Sequence, residues 1–275
     1  MFIPCSIIGY TGMILLPLIA GFFIAKKFRL GFKDFRKLFT VGALTFIASQ
    51  VLHIPVVYGL TALFSNGILP SPDKSITLIF NAVVLGLLAG IFEETARYIL
   101  FKTIRKSTDT WQNGIIIGLG HGGIEAILLG IISISTMAQM IAMRDPSNLS
   151  ALNLPADQVG LVQEQINAYW TQPDVMPLFG FMERISAMSL HIGLSILVLY
   201  SIVANQKKWF WIALLWHAFV DAVAVYVFPK ITAGENVAVG VFGFELMILL
   251  LGVGVLAYAI RLRTSFPVKN EALIK

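Results

Sequence analysis

The stretch ITLIFNAVVLGLLAGIFEETARYILF, residues 76–101, decides the class of this protein. It exceeds the roughly 20 apolar residues that a bilayer-spanning helix requires. Yet Glu93, Glu94 and Arg97 lie inside it. Six other stretches have the same apolar character, at about 3–25, 38–64, 113–143, 178–203, 209–228 and 237–260. The chain as a whole agrees. Of its 275 residues 57% are apolar and 13% charged, and the mean hydropathy is +0.82. A soluble domain holds about a quarter charged residues, so a soluble globule is excluded, and so is disorder. The expected fold class is all-α: a polytopic membrane helix bundle of about seven spans, forming a single integral membrane domain over 1–275.

Basic residues set the expected orientation. Lys26, Lys27, Arg29, Lys33, Arg36 and Lys37 follow the first span. Lys102, Arg105 and Lys106 follow the third, and Lys207 and Lys208 the fifth. Arg261, Arg263, Lys269 and Lys275 close the chain. The alternate connections hold Lys74, Arg144 and Lys230. Fifteen against three is a strong positive-inside bias. It predicts the N-terminus outside and the C-terminus in the cytoplasm. The net charge of +5 is accounted for by this bias, and nucleic acid is not an expected partner. Residues 1–25 lack the basic start of a signal peptide and read as a retained span. Cys5 is the one cysteine, which excludes internal disulfides and thiolate metal clusters. The fourth stretch is too long for one straight span, so its end is expected along the outer interface. Between it and the fifth span, Val159, Val162, Ile166, Tyr169 and Trp170 recur at helical spacing. They predict a short amphipathic helix on the outer surface.

The chemistry lies in what hydrocarbon should exclude. Glu93, Glu94, Arg97, His121, Glu125, Glu183, Arg184, His191, His217, Asp221, His53 and Glu245 all fall within spans. A central Arg or Asp costs about 2.5–3.5 kcal/mol to insert, so such groups mark functional sites by default. Six acids face two arginines here. Some acids must therefore be protonated, paired with a protonated His, or bound to a metal. Glu93–Arg97, His121–Glu125 and His217–Asp221 are each i,i+4 and share a helix face. Arg184 and His191, seven apart, share another. Counted from the cytoplasmic ends, Glu93, His121 and His217 each lie about 12 Å deep, and His191, Glu125 and Asp221 about 18 Å. Gly86/Gly90 and Gly118/Gly122 flank the first two of these groups with GxxxG pairs, which permit close helix approach. Glu183–Arg184 reads as a structural pair at the outer end. His53 beside Pro55 reads as a packing residue at a kink, and Glu245 as a lone buried acid.

One Glu and two His at one level fit water activation with oxyanion stabilisation. No HExxH is present. No cofactor is read from the sequence, although His and Glu are ligands that suit zinc. The strings FEETARY (Phe92–Tyr98), GLGHGGIEA (Gly118–Ala126), ERISAMSLH (Glu183–His191) and WHAFVDA (Trp216–Ala222) resemble the YhfC family of glutamic-type intramembrane peptidases. That family is similar in turn to the group of CAAX prenyl endopeptidases, Abi immunity proteins and PrsW. The resemblance spans residues 76–228 as a catalytic-like core, and in the nearest family almost the whole chain.

The resemblance implies catalytic roles for Glu93, Glu94, His121 and His217. Glu93 would activate water, with Glu94 as its supporting acid. His121 would share the water, and His217 would stabilise the oxyanion. Arg97 and Asp221 would support them, with His191 specific to the nearer family; Glu125, one turn from His121, is a further supporting candidate from its spacing. The EExxR spacing is closer to the EExxK of PrsW than to the EExxxR of the CAAX group, and Ile117 stands where that group has Phe. The implied function is an intramembrane endopeptidase acting on a membrane protein or peptide, in a bacterial plasma membrane. Two other readings use the same groups: a proton-coupled transporter, and a non-catalytic scaffold or immunity protein.

Overall fold

A computed structural model describes residues 1–104, 109–151 and 153–266. Arg105, Lys106, Lys269 and Lys275, four of the basic residues counted above, lie outside them. Nine α-helices occur among the described residues: α1 (Phe2–Lys27), α2 (Phe32–Ser65), α3 (Thr77–Ile104), α4 (Trp111–Ala142), α5 (Pro146–Ala151), α6 (Ala156–Thr171), α7 (Met176–Val203), α8 (Lys208–Thr232) and α9 (Val237–Arg261). No strand occurs among them. Seven of the helices, α1–α4 and α7–α9, are long and apolar enough to cross a membrane. The chain is an integral membrane protein of the expected class.

The fourth span departs from expectation. α4 is one uninterrupted helix of 32 residues. No proline lies between Trp111 and Pro146, so nothing breaks its hydrogen-bond ladder. Its start is capped by Thr110, whose Oγ1 accepts from the Asn113 amide. The predicted surface helix is α6. Its Ile166 is buried. Tyr169 and Trp170 meet the Phe2 ring edge-on at 5.2 and 5.7 Å. The Arg144 guanidinium lies 3.6 Å over Trp170. α6 is thereby tied to the beginning of α1.

α7 is the axis of the bundle. It packs against α1, α3, α4, α8 and α9, and more than half of its residues are buried. α3 pairs with α8, while α2 and α1 both lean on α4. Apolar residues such as Leu250, Val51 and Phe22 cover the rim, where lipid tails would solvate them. Between helices, lipid tails are as apolar as Leu, so close backbone approach is what holds them together. The glycine pairs provide it. Gly86 and Gly90 lie on the α8 backbone at Ala218 and Leu214. A Cβ at Gly118 would come 2.7 Å from the Ile192 Cα, and one at Gly122 would come 3.1 Å from the His191 Cβ. Gly42 lies on the α4 backbone beside His121. The close contacts therefore sit where the polar groups sit. Gly118→Leu is expected to destabilise the bundle by about 1–3 kcal/mol or more through overpacking. A lowered thermal midpoint in detergent checks this; an unchanged midpoint would contradict it.

Candidate functional site

Five helices deliver polar side chains to one buried centre. α3 supplies Glu93, Glu94 and Arg97, α4 supplies His121 and Glu125, and α7 supplies Arg184 and His191. α8 supplies His217 and Asp221, and α2 supplies Gln50 and His53. The middle of the centre is the Glu93 carboxylate. Its Oε2 lies 3.0 Å from His121 Nε2, 3.9 Å from His217 Nε2 and 4.0 Å from His191 Nδ1. The rings of His121 and His191 lie 5.0 Å apart, and those of His191 and His217 5.3 Å. The other oxygen, Oε1, accepts from Gln50 Nε2 at 3.1 Å. Glu93, Glu94, Arg97 and all three histidines are buried. The depth reckoning from span ends thus brings Glu93, His121 and His217 together, and His191 belongs to the same level rather than a deeper one.

Each flanking acid has a definite task. Glu94 is fully buried. Its Oε1 pairs with Arg97 and accepts from His217 Nδ1 at 2.7 Å. The i,i+4 spacing suggests Asp221 as the group that orients His217. Its Oδ2 is instead 3.6 Å from His217 Nε2, beyond hydrogen-bond range. The orienting carboxylate comes from another helix. Arg97 Nη2 donates to His191 Nδ1 at 2.8 Å, and His191 Nε2 donates to Glu125 at 2.8 Å. Glu125 also accepts from Arg184 at 2.7 Å, and Arg184 pairs with Glu183. The pair expected to stand apart at the outer end is therefore joined to the centre through Glu125. Glu245 is buried as expected, and its Oε2 has no partner among the described residues.

These bonds fix where the protons sit. His217 spends its Nδ1–H on Glu94, so Nε2 faces Glu93. His191 spends its Nε2–H on Glu125, so Nδ1 faces Glu93. Glu93 Oε2 and His217 Nε2 then face inward with lone pairs, while the His191 Nδ1 lone pair accepts from Arg97, whose Nη2 also lies 3.9 Å from Glu93 Oε2. Arg97 supplies one positive charge to this cluster, and the facing Glu93 and His217 atoms can take a further cation, a proton or a metal ion. A cavity of about 150 Å³ adjoins it, lined by Glu93, Glu125, His191, His217 and Asp221. That is room for several waters, each taking about 30 Å³ in the liquid. Two grooves also reach the centre from the sides of α2. One of about 630 Å³ lies against α4 and includes Glu93 and Glu125. The other, of about 510 Å³, lies against α3 and α8 and includes Asp221.

Gln50 escapes a search for ionisable groups because it is neutral. The available signal is the polar set Ser49, Gln50 and His53 clustered in the middle of the second span. His53 is more than a packing residue at a kink. Its Nδ1 lies 3.3 Å from Gln50 Oε1, and its ring stacks on Phe92 at 5.5 Å.

The structure is a seven-span bundle with a buried Glu–His centre and an adjoining polar cavity. The model of the YhfC intramembrane metalloprotease family matches residues 12–242, and the chain belongs to that family. The uncharacterized membrane protein YhfC of Bacillus subtilis is 38% identical over 142 residues, 50% of this chain and 54% of that protein. The match thus spans about half the length of this relative. No solved structure matches.

The family name implies a metal, and the donor set fits one. Glu93, His191 and His217 each offer a ligand atom, all within 4.8 Å of one another. Two His and one Glu form a known catalytic zinc set. Both His are backed by a carboxylate on their far nitrogen, as metal-binding His almost always are. Arg97, which donates to His191 Nδ1, would have to release that bond.

Proposed function

We propose that this chain is an intramembrane endopeptidase that hydrolyses a peptide bond of a membrane protein or membrane-bound peptide at the Glu93 centre. The observation that carries the proposal is convergence: Glu93 Oε2 has three imidazoles within 4.0 Å, beside a polar cavity. A scaffold requires no such convergence, and a relay requires a string of groups rather than a knot. The basic-residue bias favours a cytoplasmic C-terminus in a bacterial plasma membrane.

Glu93, His191 and His217 would hold zinc, which when bound lowers the pKa of a water and polarises a carbonyl. The remaining roles belong to the chain. Glu94 and Glu125 hold His217 and His191 in the tautomers that face the centre. Asp221, with a side chain 37% exposed, lines both the cavity and the α2–α8 groove. It would take a proton from water and pass it to the leaving amine. His121 donates to Glu93 and keeps its carboxylate turned inward.

A second reading is favoured by the 3.0 Å His121–Glu93 bond. A Glu–His pair holds and deprotonates water without an ion, and a protonated His217 then donates to the oxyanion. Elemental analysis separates the two. Purified protein is expected to carry about one zinc per chain, to lose it on His217→Ala, and to stop cleaving when chelated. Metal-free protein that still cleaves, and stops on Glu93→Gln, would establish the second reading. Folded wild type that cleaves nothing would contradict both.

A further inference from the structure

Both proposed mechanisms need the Glu93 carboxylate held in one orientation. The last torsion of a Glu side chain is broad and roughly two-fold, so either oxygen can turn inward. Here the two oxygens are distinguished. Oε2 faces the imidazoles, while Oε1 is tied to Gln50 Nε2 at 3.1 Å. A primary amide has an ambiguity of its own. Its N–H end binds a carboxylate and its oxygen end repels one. His53 resolves this, because a proton on Nδ1 donates to Gln50 Oε1 at 3.3 Å and leaves only the N–H₂ end for Glu93. The His53 ring is in turn held flat against Phe92, an interplanar angle of 22° at 5.5 Å. Phe92 is the chain neighbour of Glu93, so the arm starts and ends on the same turn of α3.

We propose that Gln50 is a positioning residue for Glu93, with His53 setting the orientation of its amide. α2 is then part of the functional centre and more than a wall of it. The inference rests on the peptidase reading only for its kinetic consequence; the hydrogen-bond arm stands or falls separately.

The intact protein in detergent micelles, with [¹⁵N]glutamine side chains, tests the arm. The chain has eight glutamines, and Gln50→Met identifies the Gln50 signal by its loss. His53→Phe keeps a ring on Phe92 but removes the donor. It is expected to move the Gln50 amide signal and leave the other seven in place. In cleavage assays, Gln50→Met and His53→Phe are each expected to lower kcat by about 10–100-fold, the usual cost of losing a supporting partner. KM stays unchanged, and the double variant is no worse than Gln50→Met alone. A Gln50 signal indifferent to His53→Phe would overturn the proposal, as would additive kcat losses or a change in KM alone. A wild type without cleavage would overturn the peptidase reading, and the amide signal would still decide the arm.

Discussion

Glu93→Gln is expected to lower kcat for peptide cleavage by about 10²-fold or more, whether the carboxylate is lost as a zinc ligand or as the acid–base group of the second reading. The amide matches the carboxylate in size but neither carries the charge that would hold zinc nor takes a proton. It also offers only one oxygen to be shared among three imidazoles and Gln50. Folding should survive, because the Glu94–Arg97 pair and the glycine contacts around α3 are untouched. Steady-state kinetics with a thermal unfolding trace on the same sample checks both halves. Full activity in a folded variant would remove Glu93 from the centre of the mechanism. Equal loss of activity and of folding would make it a structural residue.

Arg97→Met should have the largest effect on stability. Arg97 is fully buried and pairs with Glu94, which is also fully buried. It holds His191 through a second nitrogen. Removing one partner of a buried ion pair costs about 3–5 kcal/mol, because the other charge is left without compensation. The variant is expected to accumulate poorly and to melt early in detergent. Replacing both partners together can be nearly neutral, so Arg97→Met with Glu94→Gln should recover folding. It should not recover full activity, because Gln holds His217 less firmly than a carboxylate does. A single variant that melts like the wild type would show that the Arg97–Glu94 pair contributes little.

The spans were legible because apolar runs of 20 residues have no other reading in a chain this hydrophobic. The level shared by Glu93, His121 and His217 was legible because an α-helix rises by a constant 1.5 Å per residue, and basic clusters mark where counting begins. The glycine pairs were legible because small residues are what membrane helices need to touch. Partners across helices were not. Spacing within one helix pointed from His217 to Asp221, whereas the hydrogen bond runs to Glu94 on α3. No i,i+4 rule can see a neighbour 123 positions away. Glu183–Arg184 looked isolated for the same reason, since its link to the centre passes through Glu125 on α4. Gln50 was passed over because it has no charge, although its amide sits on the central carboxylate. Zinc is compatible with the His and Glu of the sequence, but without HExxH no motif names the set Glu93, His191 and His217, which comes from three separate helices.

The central claim is that the Glu93–His centre cuts peptide bonds, and new peptide N-termini in membranes test it most directly. Membranes holding wild type, Glu93→Gln or His217→Ala at equal abundance would be compared by N-terminal proteomics. The account predicts termini that appear with the wild type and vanish with both variants, and these would name the substrate. Identical termini in all three, with every protein folded, would contradict it.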